Sequence, residues 1–110
     1  ASSSVYLRFL DLLSQVNKKY DLTTREIDLL NYVFLTQSNK KEIRVKDLIS
    51  LDHLGTQATL HGALSSLVKK KFIKATTSTL DRRNKHLVLT NLAKTRYAQI
   101  ERAINQSVNK

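Results

Sequence analysis

Apolar residues in the first third of the chain recur every three or four positions, which is the spacing of one face of an α-helix. The first such stretch predicts a helix over residues 5–19, with Ser4 as its N-cap. The second stretch begins at Thr23 and Glu26, whose three-residue spacing is that of a capping box. It predicts a helix over residues 24–37, and the apolar residues on its buried side are Ile27, Leu30, Val33 and Phe34.

The middle of the chain contains two helical stretches with Gly55 between them. A short strand is predicted just before them, at residues 43–45. The longer of the two helices covers about residues 56–70, begins at Thr56 as N-cap, and has an inner face of three leucines: Leu60, Leu64 and Leu67. A short helix, a glycine-containing turn and a longer helix with a polar outer face predict a helix-turn-helix, although any two packed helices can give this pattern.

The last third of the chain predicts a β-hairpin and a final helix. The segments "FIKATTST" and "HLVLT" have strand composition and flank the basic "LDRRNK". A helix over about residues 91–108 follows, with Thr90 as N-cap and an apolar stripe of Ala93, Tyr97, Ile100, Ile104 and Val108. The predicted fold is mainly α-helical with a small β-hairpin (α+β). It is a winged helix-turn-helix in the order α-α-(β)-α-α-β-β-α, forming one domain over residues 1–110.

Positive charge is concentrated towards the end of the chain. The net charge is +10, yet up to residue 68 eight basic residues face seven acidic ones. From residue 69 onward eleven basic residues face two acidic ones. A concentrated positive field attracts polyanions, and nucleic acid is the leading candidate, ahead of an anionic membrane surface or an acidic protein.

Several classes of function find no support in the residues. The chain has no cysteine, and its histidines at positions 53, 61 and 86 are scattered, so we expect no metal and no cofactor. No glycine-rich phosphate loop, no HExxH motif and no paired carboxylates indicate catalysis, so we expect no enzyme. No apolar run approaches the roughly 20 residues of a membrane span. We expect a soluble, cytoplasmic, nucleoid-associated protein.

The succession "LTTREIDLLNYV", "VKDLISLDHLGTQATLHGALSSLVKKKFI", "DRRNKHLVLT" and "TNLAKTRYAQIERAI" resembles a known family over residues 20–104. It is similar to the multiple-antibiotic-resistance regulator (MarR) family of bacterial winged-helix transcription factors, with its small SarA-like relatives. The most specific part is the wing, in which an acid and an arginine precede an alternating strand that ends in Leu-Thr; its residues are Asp81, Arg83, Leu87, Leu89 and Thr90.

The resemblance implies a homodimeric regulator that binds double-stranded DNA. The recognition helix, residues 56–70, would lie in the major groove and the wing, residues 79–86, in the minor groove. Terminal helices over residues 5–19 and 91–108 would join two copies, or would simply pack on each other within one monomer. They are short for the family, and the presence of a small-molecule effector is left open. The chain also has Lys71 where the family usually has glycine, so either Lys71 adopts a left-handed conformation or the helix ends differently.

Residue chemistry and the resemblance together assign candidate DNA contacts. On the recognition helix they are Thr56, Gln57, Thr59, His61, Gly62, Ser65, Lys69 and Lys70. On the wing they are Arg82, Arg83 and Lys85, with Asp81 orienting an arginine rather than touching DNA, and at the start of the second helix they are Thr24 and Arg25. Each polar residue of the recognition helix can equally be ordinary surface, and its lysines favour a helix C-terminus for electrostatic reasons of their own. For the wing arginines the alternative is a solvated turn that happens to be basic.

Gly62 has two explanations of equal weight, a close approach of the helix backbone to DNA or an accommodation of packing within the chain. Two other classes of function also fit the basic winged helix. One is a protein-interaction module that binds acidic partners, and the other is a nucleoid-type structural binder without sequence preference. The operator, the regulated genes and the sign of regulation do not follow from the residues.

Overall fold

Five helices and one hairpin form the described part of the chain, residues 4–77 and 85–108 of a computed structural model. In order they are α1 (Val5–Lys19), α2 (Thr24–Ser38), α3 (Val45–Ile49), α4 (Gln57–Lys69), β1 (Ile73–Thr77), β2 (Lys85–Leu89) and α5 (Asn91–Val108). This order confirms the predicted fold class. The strand predicted at residues 43–45 is reduced to one bridging residue, Ile43, which pairs with Leu87, because α3 already begins at Val45.

Side-chain caps start the helices where the sequence predicted them. The Ser4 hydroxyl accepts from the Leu7 N–H (3.3 Å), and the Thr56 hydroxyl accepts from the Thr59 N–H (3.2 Å). Thr23 and Glu26 form the complete capping box at the start of α2. These bonds satisfy amide groups that have no partner inside their helix, and so they fix the first turns of α1, α2 and α4.

The core lies between α2, α3, α4, the hairpin and the start of α5. The predicted inner face of α4 is confirmed, because Leu60, Leu64 and Leu67 are buried. The inner face of α2 was partly wrong. Leu29 is fully buried there in place of Phe34, which is 38% exposed and stacks on the Tyr97 ring with 4.5 Å between centroids.

Helices α1 and α5 run antiparallel and form a unit that we call the terminal arm. The Arg8 side chain donates to the Ser107 carbonyl (2.5 Å) near one end, and the Arg96 side chain donates to Asn17 Oδ1 (2.7 and 3.2 Å) nearer the other. None of the residues of α1 is buried. On α5 the predicted apolar stripe is buried at Ala93 and exposed at Ile104 and Val108, while Ala103 and Ser107 beside it are buried.

Three helices end on a non-glycine residue in the left-handed conformation. These residues are Asp21 (φ 54°), Lys40 (φ 60°) and Lys71 (φ 69°), which follow α1, α2 and α4. At the end of α4 the Lys71 N–H donates to the Val68 carbonyl and the Phe72 N–H to the Leu67 carbonyl, which is a Schellman motif. Lys71 therefore adopts the conformation that the family usually gives to glycine.

Candidate nucleic-acid interface

The side of α4 that faces away from its leucines is open to solvent. The residues exposed there or at the N-cap include every candidate contact predicted on this helix except Lys70: Thr56, Gln57, Thr59, His61, Gly62, Ser65 and Lys69. They follow from the helical period, because the inward leucines recur at three- and four-residue spacing. One continuous polar surface about the length of α4 is thereby presented to a partner.

Hydroxyl groups define the N-terminal end of this surface. The Thr56 hydroxyl donates to the Thr59 hydroxyl (2.8 Å) while it accepts from the Thr59 amide, so the two side chains hold each other at the first turn. A helix N-terminus carries a partial positive charge and unpaired N–H groups, both of which attract phosphate. The start of α4 is therefore electrostatically suited to a nucleic-acid backbone.

Arg25, predicted as a phosphate contact, supports the turn that precedes α4. Its Nη1 donates to the Leu54 carbonyl, and its guanidinium lies against Gly55, where an added Cβ would come within 3.4 Å of Arg25 Cζ and Nε. The first turn of α2 thus holds the turn between α3 and α4. Thr24 beside it is exposed.

Lys70 does not point outward with the other residues of this surface. Its Nζ lies 3.1 Å from Glu26 Oε1 and also donates to the Asp21 carbonyl (2.5 Å). Ser66 is turned inward too, and its hydroxyl donates to Glu26 Oε2 (2.7 Å). Lys70 and Ser66 therefore fasten the end of α4 to the start of α2.

Glu26 is the centre of this network and is 1% exposed. Burial opposes its ionisation, but hydrogen bonds from the Thr23 backbone, Ser66 and Lys70 outweigh that effect and lower the pKa of the carboxyl. The sequence showed only the capping role of Glu26. Its second function, as the anchor of α4, depends on residues about forty positions away.

The hairpin places the base of the predicted wing beside the core. Strands β1 and β2 are antiparallel. Ile73 lies opposite Leu89 at the end of the hairpin that belongs to the core, and Thr77 lies opposite Lys85 at the outer end. Leu87 and Leu89 are buried as predicted, and Lys85 is exposed. The wing residues Asp81, Arg82 and Arg83 lie outside the described residues.

Residues 4–77 and 85–108 contain no group of three or more histidine, cysteine or acidic side chains that could hold a metal ion. Among the helices of this part, none combines the length and the apolar character that a membrane crossing requires.

A comparison with protein families identifies the chain. The family model described as transcriptional regulator SarA/Rot matches residues 11–103, which run from within α1 to within α5. The chain belongs to the SarA/Rot family of transcriptional regulators. A comparison with curated proteins gives no match. The predicted resemblance to the small SarA-like regulators is confirmed by the family model.

Solved structures of other proteins have the same fold as this chain. S. aureus MepR bound to ethidium bromide aligns with a TM-score of 0.75 at 19% identity, over 96% of this chain and 73% of MepR. An S. aureus MepR–DNA complex aligns with a TM-score of 0.69 at 22% identity, over 89% and 73% of the two chains. The regulator Tm0710 of Thermotoga maritima aligns at 0.73 and 16% identity, over 94% and 69%. At these identities the similarity is one of fold.

Proposed function

We propose that this SarA/Rot family member is a sequence-specific regulator that binds double-stranded DNA, with α4 in the major groove. The observation that carries the proposal is the exposed polar face of α4, whose opposite face is anchored by three buried leucines. An α-helix with its side chains fits the major groove, where base edges can be distinguished. The similarity of the fold to that of MepR in complex with DNA supports this arrangement.

The wing supplies a second contact in this proposal. Lys85 stands exposed at the outer end of the hairpin, and Arg82 and Arg83 follow from the sequence as the residues of its tip. A guanidinium is attracted into the minor groove by the negative potential there. Arg83 is our preferred minor-groove residue, with Asp81 orienting it.

We also propose that two copies associate through the terminal arm. Apolar side chains are exposed where α1 begins and α5 ends, and they include Tyr6 (66%), Leu7 (62%), Ile104 (44%) and Val108 (62%). Exposed apolar residues grouped on one unit favour a protein interface. A twofold dimer would present two α4 helices to two half-sites of one operator.

Selection of bound duplexes from a random library, followed by mobility-shift titration, tests the DNA-binding proposal. We expect enrichment of a two-half-site sequence and tighter binding to it than to random duplex. A protein-interaction module would bind no duplex even at low salt. A structural binder would bind duplex without enriching any sequence, so either result would contradict the proposal.

Substitutions of two neighbouring lysines distinguish a direct phosphate contact from a residue that supports the position of α4. Lys69 is exposed, so Lys69→Ala should weaken binding to all sequences and lower the slope of log affinity against log salt by about 1. Lys70 is paired with Glu26, so Lys70→Ala should weaken binding without a comparable change of slope. Equal slopes for the two variants would contradict the different roles proposed for the two lysines.

A further inference from the structure

Gly62 lies in the middle of α4, where glycine weakens a helix because the unfolded chain gains freedom from it. Its backbone is not among those with a positive φ. A methyl group on its Cα would meet no atom within 4 Å among the described residues, apart from the two adjoining residues and the backbone of α4 itself. Neither conformation nor packing within this part of the chain accounts for a glycine here, so one of the two explanations that the sequence offered loses its support.

Gly62 also belongs to the outermost line of the helix. With 3.6 residues per turn, positions 58, 62, 65 and 69 lie on the side opposite the buried leucines; Lys69 in the last turn has a long side chain, whereas the other three residues are small. We call Ala58, Gly62 and Ser65 the leading edge of α4; all three residues are exposed and small. The larger polar side chains, such as those of Thr59 and His61, stand to either side of this edge.

We propose that Gly62 sets how deeply α4 enters the major groove and thereby determines sequence specificity, a role that rests on the proposed DNA-binding function. In this arrangement the helix backbone at Gly62 lies against a base-pair edge. A helix about 10–12 Å across leaves little clearance in a groove about 12 Å wide. A side chain on the leading edge therefore holds the whole helix away from the bases.

A small displacement of α4 is enough to matter. A Cβ stands about 1.5 Å from its Cα. A hydrogen bond of about 2.9 Å is no longer one when its two atoms are about 3.6 Å apart. A shift of less than 1 Å, about half the reach of the added methyl group, therefore separates the flanking side chains of Thr59 and His61 from the base edges.

The test compares stability with affinity for the selected duplex in the full chain. Gly62→Ala should raise the melting temperature by about 2–8 °C, since alanine is the better helix former. The same substitution should raise the Kd for the selected duplex about tenfold or more, and Gly62→Leu should raise it further. Higher stability together with weaker binding cannot result from misfolding.

Val68→Ala is the matched control, because Val68 is a 46% exposed residue of the same helix that lies off the leading edge. We expect its Kd to stay within about twofold of the parent value. If the parent binds the selected duplex and Gly62→Ala binds it equally well, the role of Gly62 is wrong while the proposed function stands. If the parent enriches no sequence, the proposed function fails and the role of Gly62 fails with it.

Discussion

A buried carboxylate, that of Glu26, connects α2 with α4, the helix that we propose to lie in the major groove. The Thr23 amide and the Lys70 ammonium both donate to its Oε1, and the Ser66 hydroxyl donates to its Oε2. These bonds lower the pKa of Glu26 relative to an unfolded chain. Their contribution to stability is therefore complete above the unfolded pKa of about 4.3 and is lost as the pH falls through the folded pKa.

We expect Glu26→Gln to lower the free energy of unfolding by about 1–3 kcal/mol at pH 7, because a neutral amide loses the ion pair with Lys70 and the stronger hydrogen bonds that a carboxylate accepts. Urea unfolding at pH 7 and near pH 3 measures the free energy of unfolding of both proteins. The difference between the variant and the parent should be smaller at the lower pH. Glu101→Gln, at an exposed position of α5, is the control and should have little effect at either pH. A deficit for Glu26→Gln of equal size at both pH values would contradict the ionised role.

Contacts between residues close together along the chain could be predicted from the sequence, whereas contacts between distant residues could not. The Thr23–Glu26 pair is local and was predicted, as were the exposed residues of α4, which follow from the helical period. The turn of Lys70 towards Glu26 was not predicted, because the two residues are 44 positions apart. Arg96 shows the same limit, since its burial (1% exposed) depends on Asn17, 79 positions away.

At the scale of elements, the helix ends carry a conformational cost in free energy, and the sequence indicates it because residues other than glycine stand there. A non-glycine residue in the left-handed region is disfavoured because its Cβ approaches the carbonyl oxygen. Three helices of the described chain end this way, at Asp21, Lys40 and Lys71. The Schellman bonds at each end hold the conformation in spite of that cost.

Lys71→Gly should therefore stabilise the protein by about 1 kcal/mol, since glycine adopts this conformation without the steric penalty. Thermal and urea unfolding measure the change. The same substitution two residues earlier, Lys69→Gly, falls inside the last turn of α4 and should destabilise by about 0.5–1 kcal/mol. Effects of the same sign at both positions would contradict this account of the helix end.

The sequence located every helix and both strands of the described chain but misjudged which way α2 faces. Periodicity gives the width of an apolar stripe, whereas its centre depends on what packs against it. On α2 the stripe includes Leu29 because the helix packs against α4 and β2, and Phe34 is drawn aside to Tyr97. On α5 the side chains at Ala103 and Ser107 face α1, which leaves Ile104 outside.

At the scale of the whole molecule, the proposed dimer gives a prediction about Leu7. Leu7→Glu places a charge among the exposed apolar residues of the terminal arm and should raise the dimer dissociation constant at least about tenfold. Sedimentation equilibrium measures this constant. Leu35→Glu on α2 is a close match in residue type and exposure, 64% against 62%, and should leave the constant unchanged. An equal effect of both variants, or a parent that is monomeric at all concentrations, would contradict association through the arm.

No residue of α1 is buried, and this affects how the amount of dimer would depend on the amount of chain that a cell makes. A helix of 15 residues is marginal by itself, so in the proposed dimer its order would depend on α5 and on the second copy. Below the dissociation constant of the dimer, the amount of dimer rises with the square of the amount of chain. A doubling of synthesis would then increase the amount of the DNA-competent dimer about fourfold. The occupancy of DNA would therefore respond more steeply than the amount of chain changes.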